Sequence, residues 1–155
     1  MSDYTKNNML NDEEDTQKDK YLTFSIGEDS FGIEIEHVVE IIKLQTITEV
    51  PDVEDYVKGV INLRGKIIPV MDIRLRFNKE PRNYHDRTCV IVIDVNDITV
   101  GIIVDKVADV VIIPEESVAK PPDINKTDKK YIKSIGKTGD TVKLILDCEE
   151  LIKRD

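Results

Sequence analysis

From residue 21 onward the chain is a succession of short apolar runs separated by brief polar breaks. Residues 21–26 alternate apolar and polar side chains with the period of 2 that marks a strand. Gly27-Glu28-Asp29-Ser30 reads as a turn, and residues 31–35 return as a second strand. A short helical turn over 36–39 leads into a third strand over 40–43. Beyond Pro51, residues 57–62 and 66–71 predict two further strands flanking Arg64-Gly65, where Gly65 is free to take the positive φ of a tight hairpin. The same order follows again over 88–95, 98–104, 108–113, 131–137 and 141–146, with Asn96-Asp97 and Thr138-Gly139-Asp140 as turns.

The second series is a copy of the first. The run from Phe31 to Ile42 recurs from Val100 to Val111 at an offset of 69, as apolar, Gly, Ile, any, apolar, acid, any, Val, any, acid and two apolars. The run from Tyr56 to Ile73 recurs from Tyr131 to Cys148 at an offset of 75, so six residues are inserted between the two matched blocks. A unit this long is half a domain rather than a solenoid repeat of roughly 20 to 50 residues.

Five short strands with tight turns close most readily into a small barrel, because closure removes exposed sheet edges. The expected fold is therefore all-β with short helices: two five-stranded SH3-like barrels packed side by side, since a core of about 50 residues is marginal alone. The expected division is a disordered acidic tail over 1–20, a first barrel mainly over 21–75 and a connector over 76–87. A second barrel follows, mainly over 88–147, and then a short C-terminal helix. Which strand completes which barrel stays open, so strands can be exchanged between them. The tail carries six acids and three lysines with almost no apolar periodicity, too little to bury.

Composition narrows the function classes. A net charge of −9 repels phosphate backbones, and 5% aromatic content leaves little surface for stacking bases, which argues against nucleic acid. No apolar run approaches the ~18 residues of a membrane helix, so a cytoplasmic protein without direct membrane insertion is expected. Cys89 and Cys148 lie in apolar, strand-like runs and read as small buried hydrophobes.

No catalytic constellation emerges. His37 and His85 are the only histidines, and neither has ligand partners at metal spacing, so no metal or cofactor is expected. The segment Gly59 to Gly65 lacks the Lys-Ser/Thr ending of a phosphate loop. The repeat places Asp72 and Asp147 at equivalent positions, which invites comparison with the carboxylate pair of aspartic proteases. Their neighbours, Ile73-Arg74 and Cys148-Glu149, are bulky or charged where such a pair needs small residues. Both aspartates precede helical-looking segments and read as N-caps.

What remains points to recognition. Asn62-Leu63-Arg64-Gly65 decorates a hairpin that the second half makes with a plain turn, and Val38 and Glu40 are echoed by Val107 and Asp109. With apolar residues flanking on both sides, a period-2 strand cannot bury all of them, and exposed apolar surface marks partner sites.

These segments, together with Gly59-Val60-Ile61-Asn62-Leu63-Arg64-Gly65-Lys66-Ile67-Ile68-Pro69-Val70-Met71-Asp72-Ile73, resemble the CheW family of bacterial chemotaxis coupling proteins. The resemblance covers about residues 21–151; within the Asn-Leu-Arg-Gly motif stretch only Ile73, for Leu, departs from it. It implies two SH3-like barrels and a non-catalytic adaptor between chemoreceptors and the CheA kinase in membrane-associated arrays. The implied partners are the regulatory domain of CheA and the cytoplasmic signalling tip of the receptors. The implied receptor groove between the barrels is formed by Val38, Glu40, Gly59, Arg64, Val107 and Val110. Glu40 and Arg64 are expected to pair at its edge, and kinase contacts are expected at the barrel ends.

Overall fold

The computed structural model describes residues 17–121 and 130–153. Most of the expected tail, residues 1–16, lies outside the described residues, as do residues 122–129 and 154–155. Eleven strands and two short helices are present among the described residues. The first half carries β1 (Lys20–Ile26), β2 (Asp29–Glu34), β3 (Val38–Lys43), β4 (Val57–Leu63) and β5 (Lys66–Asp72), then α1 (Ile73–Arg76). The second carries β6 (Cys89–Val95), β7 (Ile98–Val104), β8 (Lys106–Ile112), β9 (Val118–Ala119), β10 (Ile132–Thr138) and β11 (Thr141–Leu146), then α2 (Cys148–Ile152). The turn expected over four residues at 27–30 is tighter: only Gly27 and Glu28 separate β1 from β2, with Ile26 opposite Asp29 and Gly27 at φ 61.

The strands form a six-stranded sheet in the order β8-β1-β2-β11-β10-β9 and a five-stranded sheet in the order β3-β6-β7-β5-β4. Under the repeat, β6, β7, β3, β5 and β4 map onto β1, β2, β8, β11 and β10, so the two orders are the same. The sixth strand is the two-residue β9, which pairs Ala119 with Ile135. The sheets do not divide the chain at the connector, as a first barrel over 21–75 and a second over 88–147 would. Each sheet takes its leading hairpin from one repeat and its other three main strands from the other. Each sheet is joined by one antiparallel ladder, β1 to β8 or β3 to β6, and one parallel pairing, β2 to β11 at Gly32–Ile145 and β7 to β5 at Gly101–Val70. These two glycines are equivalent in the repeat, and each sits tightly against a neighbouring side chain. A Cβ on Gly101 would sit 2.7 Å from Val90, and one on Gly32 would sit 3.0 Å from Ile145.

Two cores result. The larger joins the sheets, with Leu22, Phe24, Phe31 and Ile33 facing Ile91, Ile93, Ile102 and Val104. The smaller lies on the other side of the five-stranded sheet, built on Ile61, Ile68, Val70, Val90, Val92 and Ile103. Alternate residues of β6 thus enter different cores, which is why this strand reads as an unbroken apolar run. All three phenylalanines line up in one stack, Phe24–Phe31–Phe77 at 5.8 and 5.4 Å, continued by Tyr131 at 5.4 Å.

The repeat is preserved down to single hydrogen bonds. The Asp72 amide donates to the Tyr56 carbonyl and the Asp147 amide to the Tyr131 carbonyl, both at 2.8 Å. Each aspartate caps a helix, Asp72 accepting from the Arg74 amide at 2.9 Å and Asp147 from the Glu150 amide at 3.2 Å. Both aspartates thus act as the N-caps that the residues after them suggest, and the second carboxylate oxygen of Asp72 accepts from the Tyr84 hydroxyl at 2.8 Å. Between the two halves sits Arg76, only 2% exposed. Its guanidinium lies 4.2 Å from the Tyr56 ring and 4.9 Å from the Tyr131 ring, the two repeat-related tyrosines. It donates to the carbonyls of Leu151 at 3.0 Å, Glu150 at 3.4 Å and Lys153, at the negative end of α2.

Gly59 is held by the backbone. It has φ +144 at a bulge of β4, and a Cβ there would lie 2.1 Å from the Thr48 carbonyl oxygen. Residues 47 and 48 cross over it, with Thr48 and Val60 exchanging amide–carbonyl bonds at 2.9 Å.

Two stability predictions follow from these contacts. Arg76→Ala leaves the α2 carbonyls without their donor and opens a void between two rings, and is expected to cost about 3 kcal/mol in urea unfolding. Arg76→Lys should recover only part of this, since an ammonium cannot fork or stack as a guanidinium does. Gly59→Ala is expected to lower stability by about 3 kcal/mol or more, from strain plus overlap with a backbone oxygen. A Gly59→Ala protein that melts at the wild-type temperature would show that residues 47–48 move aside freely.

Candidate functional site

The candidate residues sit mainly on the two edge strands, β3 of one sheet and β8 of the other, which are equivalent in the repeat. Each carries a bulge at the same place: Val38 and Glu40 oppose Ile93 and Val92, while Val107 and Val110 oppose Phe24 and Leu22. An extra residue in an edge strand twists it away from further pairing and turns neighbouring side chains to different faces. Val38 and Val107 accordingly lean inward, half-buried against the core between the sheets. Val110 points out and is 49% exposed.

Beside them are exposed apolar residues that the sequence did not single out. Val39 and Ile41 lie on the outer face of β3, and Ile112 on that of β8. Their signal was present in the runs Val38-Val39 and Ile41-Ile42, where apolar residues occupy both faces of a strand that has a partner on one edge only.

Glu40 and Arg64 meet. The guanidinium donates to both carboxylate oxygens, Nη1 to Oε2 at 2.7 Å and Nη2 to Oε1 at 2.9 Å. That hydrogen bond holds the Glu40 carboxyl below its ordinary range and raises Arg64 further. The pair links β3 to the β4–β5 turn, and so ties the two opposite edges of the five-stranded sheet. The turn itself is built by its motif. Arg64 and Gly65 both have positive φ, 52 and 86, and the Asn62 side chain accepts from the Gly65 amide at 2.8 Å. Leu63 tucks under the smaller core. The motif thus presents Arg64, whose side chain is 73% exposed, from a turn fixed on both sides.

Asp109, the counterpart of Glu40, is used differently. It lies against the buried Thr23, whose hydroxyl is 2.8 Å from its carboxylate and accepts from its amide at 3.2 Å. Gly59 does not join this group by side chain. It belongs to a separate open apolar cleft of about 340 Å³, lined also by Val53, Tyr56, Val57, Pro69 and Ile98. Ile98, which lines that cleft, is 52% exposed, and Ile67, two residues before the lining Pro69 on β5, is 60% exposed.

Other chemistry is accounted for. Asp105 anchors the seam between the halves, taking the Arg74 Nε at 3.0 Å and the Gly27 amide at 2.7 Å. Burial pushes its carboxyl up, but these donors and the cationic charge of Arg74 hold it below the usual range. Burial raises the Cys89 thiol and pushes Cys148 up to about 12, and neither cysteine is in a disulfide. Glu34, Glu36 and His37 converge at one surface point, where the Lys133 ammonium already sits on Glu34. No helix among the described residues is long and apolar enough to cross a membrane.

With this geometry in view, comparison with known proteins is direct. A family model described as a CheW-like domain matches residues 20–155. The Chemotaxis protein CheW of Klebsiella aerogenes is 32% identical over 142 residues, covering 91% of this chain and 86% of that protein. The Bacillus subtilis protein of the same name is 34% identical over 138 residues, covering 88% of each. The crystal structure of the scaffolding protein TtCheW from Thermoanaerobacter tengcongensis superposes with a TM-score of 0.83 at 34% identity, over 88% of this chain and 94% of that one. The chain therefore belongs to the CheW-like domain family, a family of chemotaxis scaffold proteins and not of enzymes.

Proposed function

We propose that this protein couples the cytoplasmic signalling tip of chemoreceptors to the regulatory domain of the CheA kinase, working in the cytoplasm at membrane-associated receptor arrays. The observation that carries this is the presence of two different exposed apolar surfaces on one small fold. One follows the bulged edge strands, with Val110, Val39 and Ile41 exposed, Val38 and Val107 beneath, and the Glu40–Arg64 pair alongside. The other surrounds the cleft beside β4, β5 and β7, where Ile67 and Ile98 stand exposed. An adaptor needs two faces that can be occupied at once, and an enzyme would need one lined by reactive groups.

The edge-strand surface suits an amphipathic helical partner, which would set its apolar face on the valines and isoleucines. Arg64 then lies at the rim, prevented from collapsing onto the surface by Glu40 and able to select a partner carboxylate or amide. The cleft beside β4 and β5 suits a second module of similar β architecture, meeting this one end to end. That arrangement assigns the kinase to the Ile67–Ile98 side and the receptor to the β3–β8 side.

Arg64→Ala is expected to weaken receptor-tip binding several-fold while moving the melting temperature little, because the side chain is mostly in water and the turn is held by Asn62 and Gly65. Binding and calorimetry on the same sample check this; a melting temperature that falls together with binding would make Arg64 structural. Val38→Asp strikes groove and core together, so Val110 is the cleaner probe. Val110→Asp should reduce receptor-tip affinity at least tenfold, about 1.4 kcal/mol, with CheA binding retained. Ile67→Asp should do the converse. Two-partner titrations on folded proteins decide, and both variants losing the same partner would overturn the assignment of two faces.

A further inference from the structure

The reciprocal strand exchange has a counterpart between molecules. Each sheet is made of a leading hairpin from one repeat and three main strands from the other, joined by β1–β8 and β2–β11 in one sheet and by β3–β6 and β5–β7 in the other. All four joining ladders run between residues before the connector and residues after it. The larger core is likewise shared, with Phe31 and Phe77 of the first half stacked towards Tyr131 of the second. In contact terms the monomer is a pair of half-chains on a tether.

The tether is thin. Residues 78–87 form no strand or helix, and all but Lys79 are exposed. Two of its contacts, Lys79 with Asp29 at 3.4 Å and Tyr84 with Asp72 at 2.8 Å, are made to the first half itself and survive if the halves part. Extended, ten residues reach about 33–36 Å, enough to cross from one compact unit to a neighbour.

We infer that a second copy of this chain is a competent partner: two molecules can trade halves through residues 78–87 to give an intertwined dimer in which every strand pairing of the monomer is kept. The exchanged dimer would carry two copies of each exposed surface and so double the valence of the scaffold. A short flexible tether holds its own partner at roughly millimolar effective concentration, so exchange competes only when folding takes place near that concentration.

A cross-strand disulfide tests this. Ser25 and Lys106 face each other across β1 and β8, one in each half. The Ser25→Cys/Lys106→Cys protein is refolded from urea at about 1 mM and at about 1 μM, then oxidised with diamide under native conditions. Trading halves yields a product of twice 17.7 kDa on non-reducing gels after the millimolar refolding, and internally linked monomer after the micromolar one. Wild-type spectra and internally linked monomer alone at both concentrations would overturn the inference. If the double variant does not fold, the otherwise wild-type chain is cut at a protease site placed after Asn83. Tagged and untagged cut proteins are then refolded together. Recovery of untagged second halves on the tag supports exchange, and tagged halves that retain only their original partners after refolding together near millimolar concentration refute it.

Discussion

A hairpin that is apolar on both faces has to be covered from two sides, and β6–β7 is such a hairpin. Ile91, Ile93 and Ile102 point into the core between the sheets, while Val90, Val92 and Ile103 point into the smaller core. At about 1.5–3 kcal/mol for each large side chain removed from water, leaving three of them open on either face would cost roughly 5–9 kcal/mol, comparable to a small domain's margin of stability. The strands of its own repeat can reach only part of this surface. The first repeat supplies the rest, with β3 and β5 on the hairpin's two edges and β1–β2 across the core. The first repeat's hairpin is placed in the same way by the second, and the two sheets hold one another in register.

Arg76 shows how an exchange of this kind is locked. A buried guanidinium is stable only where its donors are satisfied and its faces are covered. Here the faces meet Tyr56 and Tyr131, one from each repeat, and the donors meet carbonyls at the end of α2. The charge can be accommodated only when both halves and the C-terminal helix are in place. Arg74 plays a parallel part at the seam, where Asp105 gathers it together with the Gly27 turn.

With so much of the repeat spent on the shared core, its outer strands are where the halves are free to differ. Glu40 reaches out to Arg64 and pins a rim charge, while Asp109 reaches in to Thr23. The bulges protect the edges from pairing with other sheets and at the same time turn Val110 and Ile41 towards solvent. A surface of this kind is suited to side-chain recognition rather than to strand addition.

The sequence by itself determined the elements and their local chemistry. Turn residues and alternation placed the ten main strands, Asp72 and Asp147 were legible as caps from the residues after them, and Asn62 to Gly65 was legible as a hairpin that exposes an arginine. Those features depend on neighbours a few residues away, which a pattern can see. The tertiary structure alone decided which hairpin enters which sheet, because a period of 2 says that a face is apolar but not what covers it. It also decided that Val38 and Val107 lean inward while Val110 stays out, since the bulges that divide them arise from pairing with β6 and β1. The need for Gly59 likewise comes from a backbone oxygen eleven residues earlier in the chain, at Thr48. Contacts between distant segments are set by packing, and packing is a property of the assembled fold.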